Sequence, residues 1–278
     1  MTSLDGKIIA EDTLQLNNRA FLFGDGVFET MKIVRGKIIF FEEHYFRLMA
    51  AMRIVRMEIP MSFTPEYLEE QILDLVSTAG FSESARARLT VFRNGGGFYM
   101  PDSTDVSFVI NVLPLPETAY TNNVAPYEVD LYKDFHIAKH LLSTVKTTNK
   151  MINITASVYA KENLLQNCLL INESKNVVEA IHGNVFMLIG KRLVTPPLSE
   201  GCLNGIMRKQ VLGIAGKMEM LEVVEDAISP FDLQKADEIF ITNVITGVQS
   251  VSRYRKKDFV KTLADKLVER LNALILLN

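Results

Sequence analysis

Apolar positions along this chain alternate with polar ones in short runs, shift to helical spacing, and shift back. KIIAEDT (7–13) and ETMKIVRGKIIFF (29–41) read as strands, the second broken by a turn at Arg35-Gly36. EEHYFRLMAAMRIVRM (42–57) has helical spacing, with Phe46, Met49, Ala50 and Ile54 expected on one face. Thr64-Pro65 supplies an N-cap and a first helical residue for a helix through EYLEEQILDLVSTAG, stopped at Gly80. ARARLTVFR (85–93) and SFVINVLPL (107–115) read as strands around the glycine-rich RNGGGFYMPD.

PLPETAYTNNVAP (114–126) has three prolines and little periodicity, so a domain boundary is expected there. The division is a small N-terminal domain over 1–117, a linker over 118–124 and a larger C-terminal domain over 125–278. The second part opens on a strand (YEVDLYK), and a helix follows through NITASVYAKENL. NCLLINES and NVVEAIHGNVFMLIGKRLVTP are strand-rich, with turns at Lys-Asn and Gly-Lys. Residues 205–219 read as a helix, Ser229-Pro230-Phe231-Asp232 as a helix start and EIFITNVITGVQSV as a strand and loop. KDFVKTLADKLVERLNALILL reads as a closing amphipathic helix. The expected class is α+β, with mixed sheets in two domains.

Composition narrows the function. The 278 residues are 48% hydrophobic and 23% charged, enough to bury a sizeable core. With a net charge of −3, no basic excess points to nucleic acid. No segment has the roughly 20 apolar residues that span a bilayer, and MTSLDGKIIAEDTLQLNNR lacks the apolar run of a signal peptide. The two cysteines, Cys168 and Cys202, make no disulfide framework and read as small buried hydrophobes. A cytoplasmic protein acting on a small molecule is the expectation, with no nucleic-acid, membrane or metal partner.

STVKTTNK (143–150) raises the chemistry. It sets Lys146 and Lys150 among four hydroxyl side chains and one Asn. Catalytic lysines form Schiff bases or work at a shifted pKa, and both roles need fixed partners. A lysine in a polar loop is ordinarily solvated, so the case rests on other segments.

Six of them, in order, are NNRAFLFGDGVFET (17–30), HYFRL (44–48), VKTTNK (145–150), VVEAIHGNVF (177–186), LNGIMRK (203–209) and FITNVITGVQSV (240–251). Together they resemble the fold type IV, or class IV aminotransferase-like, pyridoxal-phosphate enzymes across nearly the whole chain. The resemblance implies a two-domain architecture with a small N-terminal α/β domain, a larger C-terminal domain of mixed sheet and barrel, and a homodimer whose loops complete each other's pockets. It also implies pyridoxal 5'-phosphate as cofactor, in the cleft between domains.

Site residues follow from the same likeness. The Lys-x-x-Asn pattern of Lys146 and Asn149 selects Lys146 over Lys150 for the Schiff base. Glu179 matches the carboxylate that faces the pyridine nitrogen, and Asn184 a position that shapes the following turn. Arg47 matches the phosphate arginine. Gly205, Ile206 and Met207 open a helix whose free N–H groups suit a dianion, and Asn243-Val244-Ile245 match a second phosphate turn. Val244 stands where transaminases often carry a threonine, which leaves only its backbone N–H.

Two chemistries remain open. The Asn-Gly-Ile-Met-Arg string, Thr30 and the RNGGGFY loop resemble the 4-amino-4-deoxychorismate lyases of folate synthesis, with Thr30 as a proton relay or carboxylate ligand. Those lyases carry an arginine at the position of Phe98, and Arg93 is the candidate to replace it. Phe28, Val27 and Phe98 could instead line an apolar pocket for a branched-chain aminotransferase. A D-amino-acid transaminase fits less well, since the loop has no Arg-x-His carboxylate trap. A protein that kept the fold and lost catalysis is the remaining alternative.

Overall fold

The computed structural model describes residues 1–9 and 17–277. Residues 10–13 of the strand expected over 7–13 lie outside the described residues. The chain forms two compact units, Met1–Thr118 with Val145–Asn149, and Ala119–Thr144 with Lys150–Asn278.

The first unit contains β1 (Thr2–Leu4), β2 (Lys7–Ile9), α1 (Arg19–Phe23), β3 (Gly26–Val34), β4 (Lys37–Ile38), α2 (Phe41–Ile54), α3 (Pro65–Thr78), β5 (Ser84–Arg93) and β6 (Val106–Pro114). The strands make one antiparallel sheet in the order β2-β1-β6-β5-β3-β4. Arg35 and Gly36 both have positive φ, the geometry of a two-residue hairpin turn between β3 and β4.

The pleat sorts the side chains. Val27, Met31 and Ile33 of β3, Ala85, Ala87, Leu89 and Val91 of β5, and Phe108, Ile110 and Val112 of β6 form the core. Leu48 and Met52 of α2, and Leu68, Ile72, Leu75 and Val76 of α3, cover that face. Each such side chain taken fully from water contributes about 1.5–3 kcal/mol. The opposite parity (Phe28, Thr30 and Lys32 against Thr90, Arg88 and Arg86) gives the other face its polar and cationic character.

Thr64 Oγ caps α3 by accepting the Tyr67 N–H at 3.2 Å. The face of α2 differs from the expected one. His44, Leu48, Met49, Ala51 and Met52 are buried, whereas Phe46 and Ile54 are exposed. Apolar residues surround this helix on two sides, and the inward stripe contains two polar residues, His44 and Arg47, that meet a buried carboxylate.

The second unit contains β7 (Glu128–Ile137), α4 (Met151–Glu162), β8 (Asn167–Asn172), β9 (Val177–Ala180), β10 (Asn184–Ile189), β11 (Arg192–Thr195), α5 (Ile206–Ala215), β12 (Glu222–Glu225), β13 (Glu238–Asn243), β14 (Gly247–Ser250), β15 (Arg253–Tyr254), β16 (Lys257–Asp258) and α6 (Thr262–Leu277). Two five-stranded sheets run β12-β11-β10-β13-β14 and β16-β15-β7-β8-β9. Both mix parallel and antiparallel pairs, and their apolar faces share one core that includes Val185, Ile239, Ile241 and Tyr254. The expected helix start at 229–232 yields only a 3-10 turn, Asp232–Gln234, because the chain enters β13 at Glu238. Glu238, itself buried, accepts the Leu263 and Ala264 N–H groups and so caps α6.

Candidate active site

In the first unit, Val145–Asn149 runs antiparallel to the start of β3. Phe28 N–H donates to Lys146 O at 2.9 Å and Thr148 N–H to Gly26 O at 2.9 Å, with Val27 bridged to Thr147. Alternation again explains the residue types. Val145 is buried in the core, and Thr148 Oγ donates to Gly24 O at 2.8 Å. Gly26 has no side chain where a Cβ would crowd Thr148 at 3.1 Å. Half-buried Lys146 points to the other side, its Nζ 4.6 Å from the centre of the Phe28 ring.

That ring has a second cation. The Arg88 guanidinium stands 3.9 Å from its centroid, and Arg88 pairs directly across from Thr30. Arg88 Nε–H donates to Thr90 Oγ at 3.3 Å, and among the described residues no carboxylate pairs with it. Burial, with Arg86 alongside, lowers its pKa from the ordinary arginine value. Lys32, on the same face, is buried and its pKa is likewise lowered by burial, with Glu117 opposing. A half-buried arginine without a carboxylate suits an incoming anion. Sequence reasoning missed Arg88. Its signal was parity, but the pairing of Thr30 with a residue 58 positions on requires the strand register.

The other sequence candidates in this unit lie elsewhere. Arg93 is buried and fully engaged: Nε donates to Asp25 at 3.1 Å, Nη1 to Arg56 O at 2.8 Å and Nη2 to Val55 O at 2.8 Å. Phe98 is 85% exposed on its loop, and Arg19 holds that loop by donating to Gly96 O and Phe98 O at 2.9 and 2.8 Å. Arg47 projects from α2 towards β3, where Glu29 accepts from Nε at 2.7 Å and from Nη2 at 2.5 Å.

In the second unit, β9, β10, β13 and the start of α5 assemble the remaining candidates. Glu179, half-buried on β9, accepts the Leu203 N–H at 2.8 Å. Asn184 donates from Nδ2 to Leu203 O at 2.8 Å and pairs with Thr242 across β10 and β13. The 203–205 segment therefore ties Glu179 to the start of α5. Gly205 is the N-cap of that helix; a Cβ there would collide with Asn184 Oδ1. Among the described residues no side chain caps the helix, and its first turn has no acidic residue. Backbone donors and the positive helix end thus suit a phosphate.

Asn243 closes the neighbouring turn on itself, its Oδ1 accepting the Ile245 and Thr246 N–H groups at 2.9 Å each. Val244 O accepts the Tyr120 hydroxyl at 2.6 Å, and the Tyr120 ring packs where a Cβ on Gly247 would stand, 2.7 Å away. Burial pushes the Cys168 and Cys202 thiols up to about 12, which makes them poor nucleophiles. Among the described residues no His, Cys, Asp or Glu cluster could hold a metal, and no helix is long and apolar enough to cross a membrane.

A family model described as amino-transferase class IV matches residues 26–254. A Methanocaldococcus jannaschii protein provisionally named a branched-chain-amino-acid aminotransferase is 27% identical over 253 residues, 89% of this chain and 85% of its own. An aminodeoxychorismate lyase from Vibrio harveyi is 24% identical over 248 residues, 85% of this chain and 86% of its own. Among solved structures, a branched-chain amino acid aminotransferase from Thermobaculum terrenum in its PLP form superposes with a TM-score of 0.84. It is 20% identical and covers 99% of this chain and 93% of its own.

Proposed function

The chain belongs to the class IV aminotransferase family, whose members are pyridoxal-phosphate-dependent enzymes, and from that premise we propose that it is a lyase that converts 4-amino-4-deoxychorismate to p-aminobenzoate and pyruvate. The observation that carries this reading is Arg88. It is a half-buried cation without a carboxylate partner among the described residues, and it shares the Phe28 ring with Lys146 opposite Thr30. Aminodeoxychorismate brings two carboxylates, either of which satisfies such an arginine; a branched-chain amino acid offers it only the α-carboxylate, and its side chain none. Arg93 is already engaged, so Arg88 takes the role considered for Arg93.

When bound, pyridoxal 5'-phosphate supplies an aldehyde that condenses with amines and a ring that accepts electron density. Lys146 is the attachment point. Glu179, fixed by Leu203 N–H, keeps a proton on the ring nitrogen. The uncapped start of α5 at Gly205, Ile206 and Met207, the turn at Asn243-Val244, and Arg47 would hold the cofactor's phosphate.

The Lys146 amine would take the proton from the substrate carbon that bears nitrogen. Thr30 hydroxyl donates to the departing oxygen. One C–H bond and one C–O bond break, the ring becomes aromatic, and the proton count closes with pyruvate. No second substrate is needed.

A transaminase does need a keto acid acceptor, and this separates the two readings. The purified protein incubated with aminodeoxychorismate alone should release p-aminobenzoate and pyruvate in equal amounts. Amino exchange from leucine or valine to 2-oxoglutarate, with no lyase product, overturns the proposal in favour of the branched-chain reading. We also propose a homodimer working in a reducing cytoplasm. The exposed Phe98, Tyr99 and Met100 support the first, and two buried free thiols the second.

A further inference from the structure

Glu29 occupies a core position of β3, between Val27 and Met31 in the inward parity, and is 2% exposed. Its carboxylate meets two residues one turn apart on α2. His44 Nδ1 lies 2.7 Å from Oε2, and Arg47 reaches Oε1 through Nε at 2.7 Å and Oε2 through Nη2 at 2.5 Å. His44 is 1% exposed, and burial lowers its pKa, outweighing Glu29, with Arg47 and Lys146 also acting to lower it. The imidazole is therefore neutral and donates from Nδ1 to the carboxylate, while buried Nε2 has no hydrogen-bond partner among the described residues.

This arrangement is not explained by stability. Taking a carboxylate and a guanidinium out of water costs several kcal/mol, and well-packed apolar replacements of buried ion pairs are often as stable or more so. What the cluster does supply is direction. A two-point contact fixes the plane of a guanidinium, and the His44 hydrogen bond fixes the carboxylate in turn. We propose that Glu29 is a positioning residue, with His44 as its brace, that locks the Arg47 guanidinium in the orientation in which it meets the cofactor phosphate. The inference rests on the reading of Arg47 as a phosphate ligand. It adds a supporting carboxylate and imidazole that neither touch the cofactor nor transfer a proton.

The test is the full-length protein stripped of cofactor and titrated with pyridoxal 5'-phosphate and with pyridoxal, which lacks the phosphate. Affinity follows from the visible band of the lysine-bound form. Glu29→Gln should weaken pyridoxal 5'-phosphate by about tenfold or more, the worth of a charge-assisted contact, and leave pyridoxal unchanged, so the preference for the phosphorylated form collapses. His44→Asn, which keeps a donor near the Nδ1 position, should retain the preference, and His44→Phe should lose it. If Glu29→Gln does not fold, the His44 pair carries the same comparison. A preference equal to wild type in Glu29→Gln and His44→Phe overturns the inference, whether both affinities fall together or neither moves. Arg47→Ala separates the layers. If it keeps the preference, the phosphate role of Arg47 fails; if it loses the preference while the Glu29 and His44 variants keep it, only the positioning role fails.

Discussion

Glu29 carries a titration that the folded state alone imposes. Burial pushes its carboxyl up, but Arg47 and hydrogen bonds from His44 and Arg47 outweigh that, so its pKa falls from 4.5 to about 2. A depressed carboxylate pKa adds stability that is fully present above the unfolded value and is lost as pH falls through the folded one. Urea unfolding of wild type should therefore lose, between pH about 4.5 and about 2, a contribution on the order of 3 kcal/mol that Glu29→Gln does not lose. Parallel acid profiles for the two proteins would contradict it.

At the same scale, Arg88→Met should raise KM for aminodeoxychorismate by about 10–100-fold and affect kcat less, as loss of a carboxylate contact requires. An unchanged KM in steady-state assays would remove Arg88 from the substrate site. Thr30→Val should instead lower kcat, by about 10²-fold or more if the hydroxyl moves a proton, with KM held.

Element by element, the chain was legible where period and punctuation agreed. The hairpin at Arg35-Gly36, the Thr64-Pro65 start of α3 and the strands of β5, β6 and β13 stand where the pattern set them. The face of α2 was misread because two inward polar residues answer to a carboxylate on another strand, and no local window contains both. The site divides in the same way. Lys146, Glu179, Arg47 and the Gly205 turn were proposed from the resemblance of short strings. Arg88 belongs to no such string, and His44 opens HYFRL, which was read for Arg47 alone; register and tertiary packing bring these two residues to Phe28 and Glu29.

Glycines at the element ends give the sharpest test at this scale. Gly247 has φ +73°, and a Cβ there would stand 2.7 Å from the Tyr120 ring. Gly247→Ala should cost about 1–3 kcal/mol, seen as a lower Tm, and should also weaken cofactor binding by disturbing the Asn243–Thr246 turn. An unaltered Tm would show that the turn tolerates a side chain there.

For the whole molecule, the proposed dimer predicts that light scattering will give about twice the 31.3 kDa chain mass. A strict monomer at working concentration with full activity would remove any need for a second copy. The broader claim is that one lysine, set beside Phe28 by the strand-like segment Val145–Asn149, carries the cofactor and starts the chemistry. Reduction of the cofactor-loaded protein with borohydride, followed by peptide mass spectrometry, tests it directly. The account predicts the phosphopyridoxyl adduct on Lys146; an adduct on Lys150, or none on residues 145–150, would contradict it.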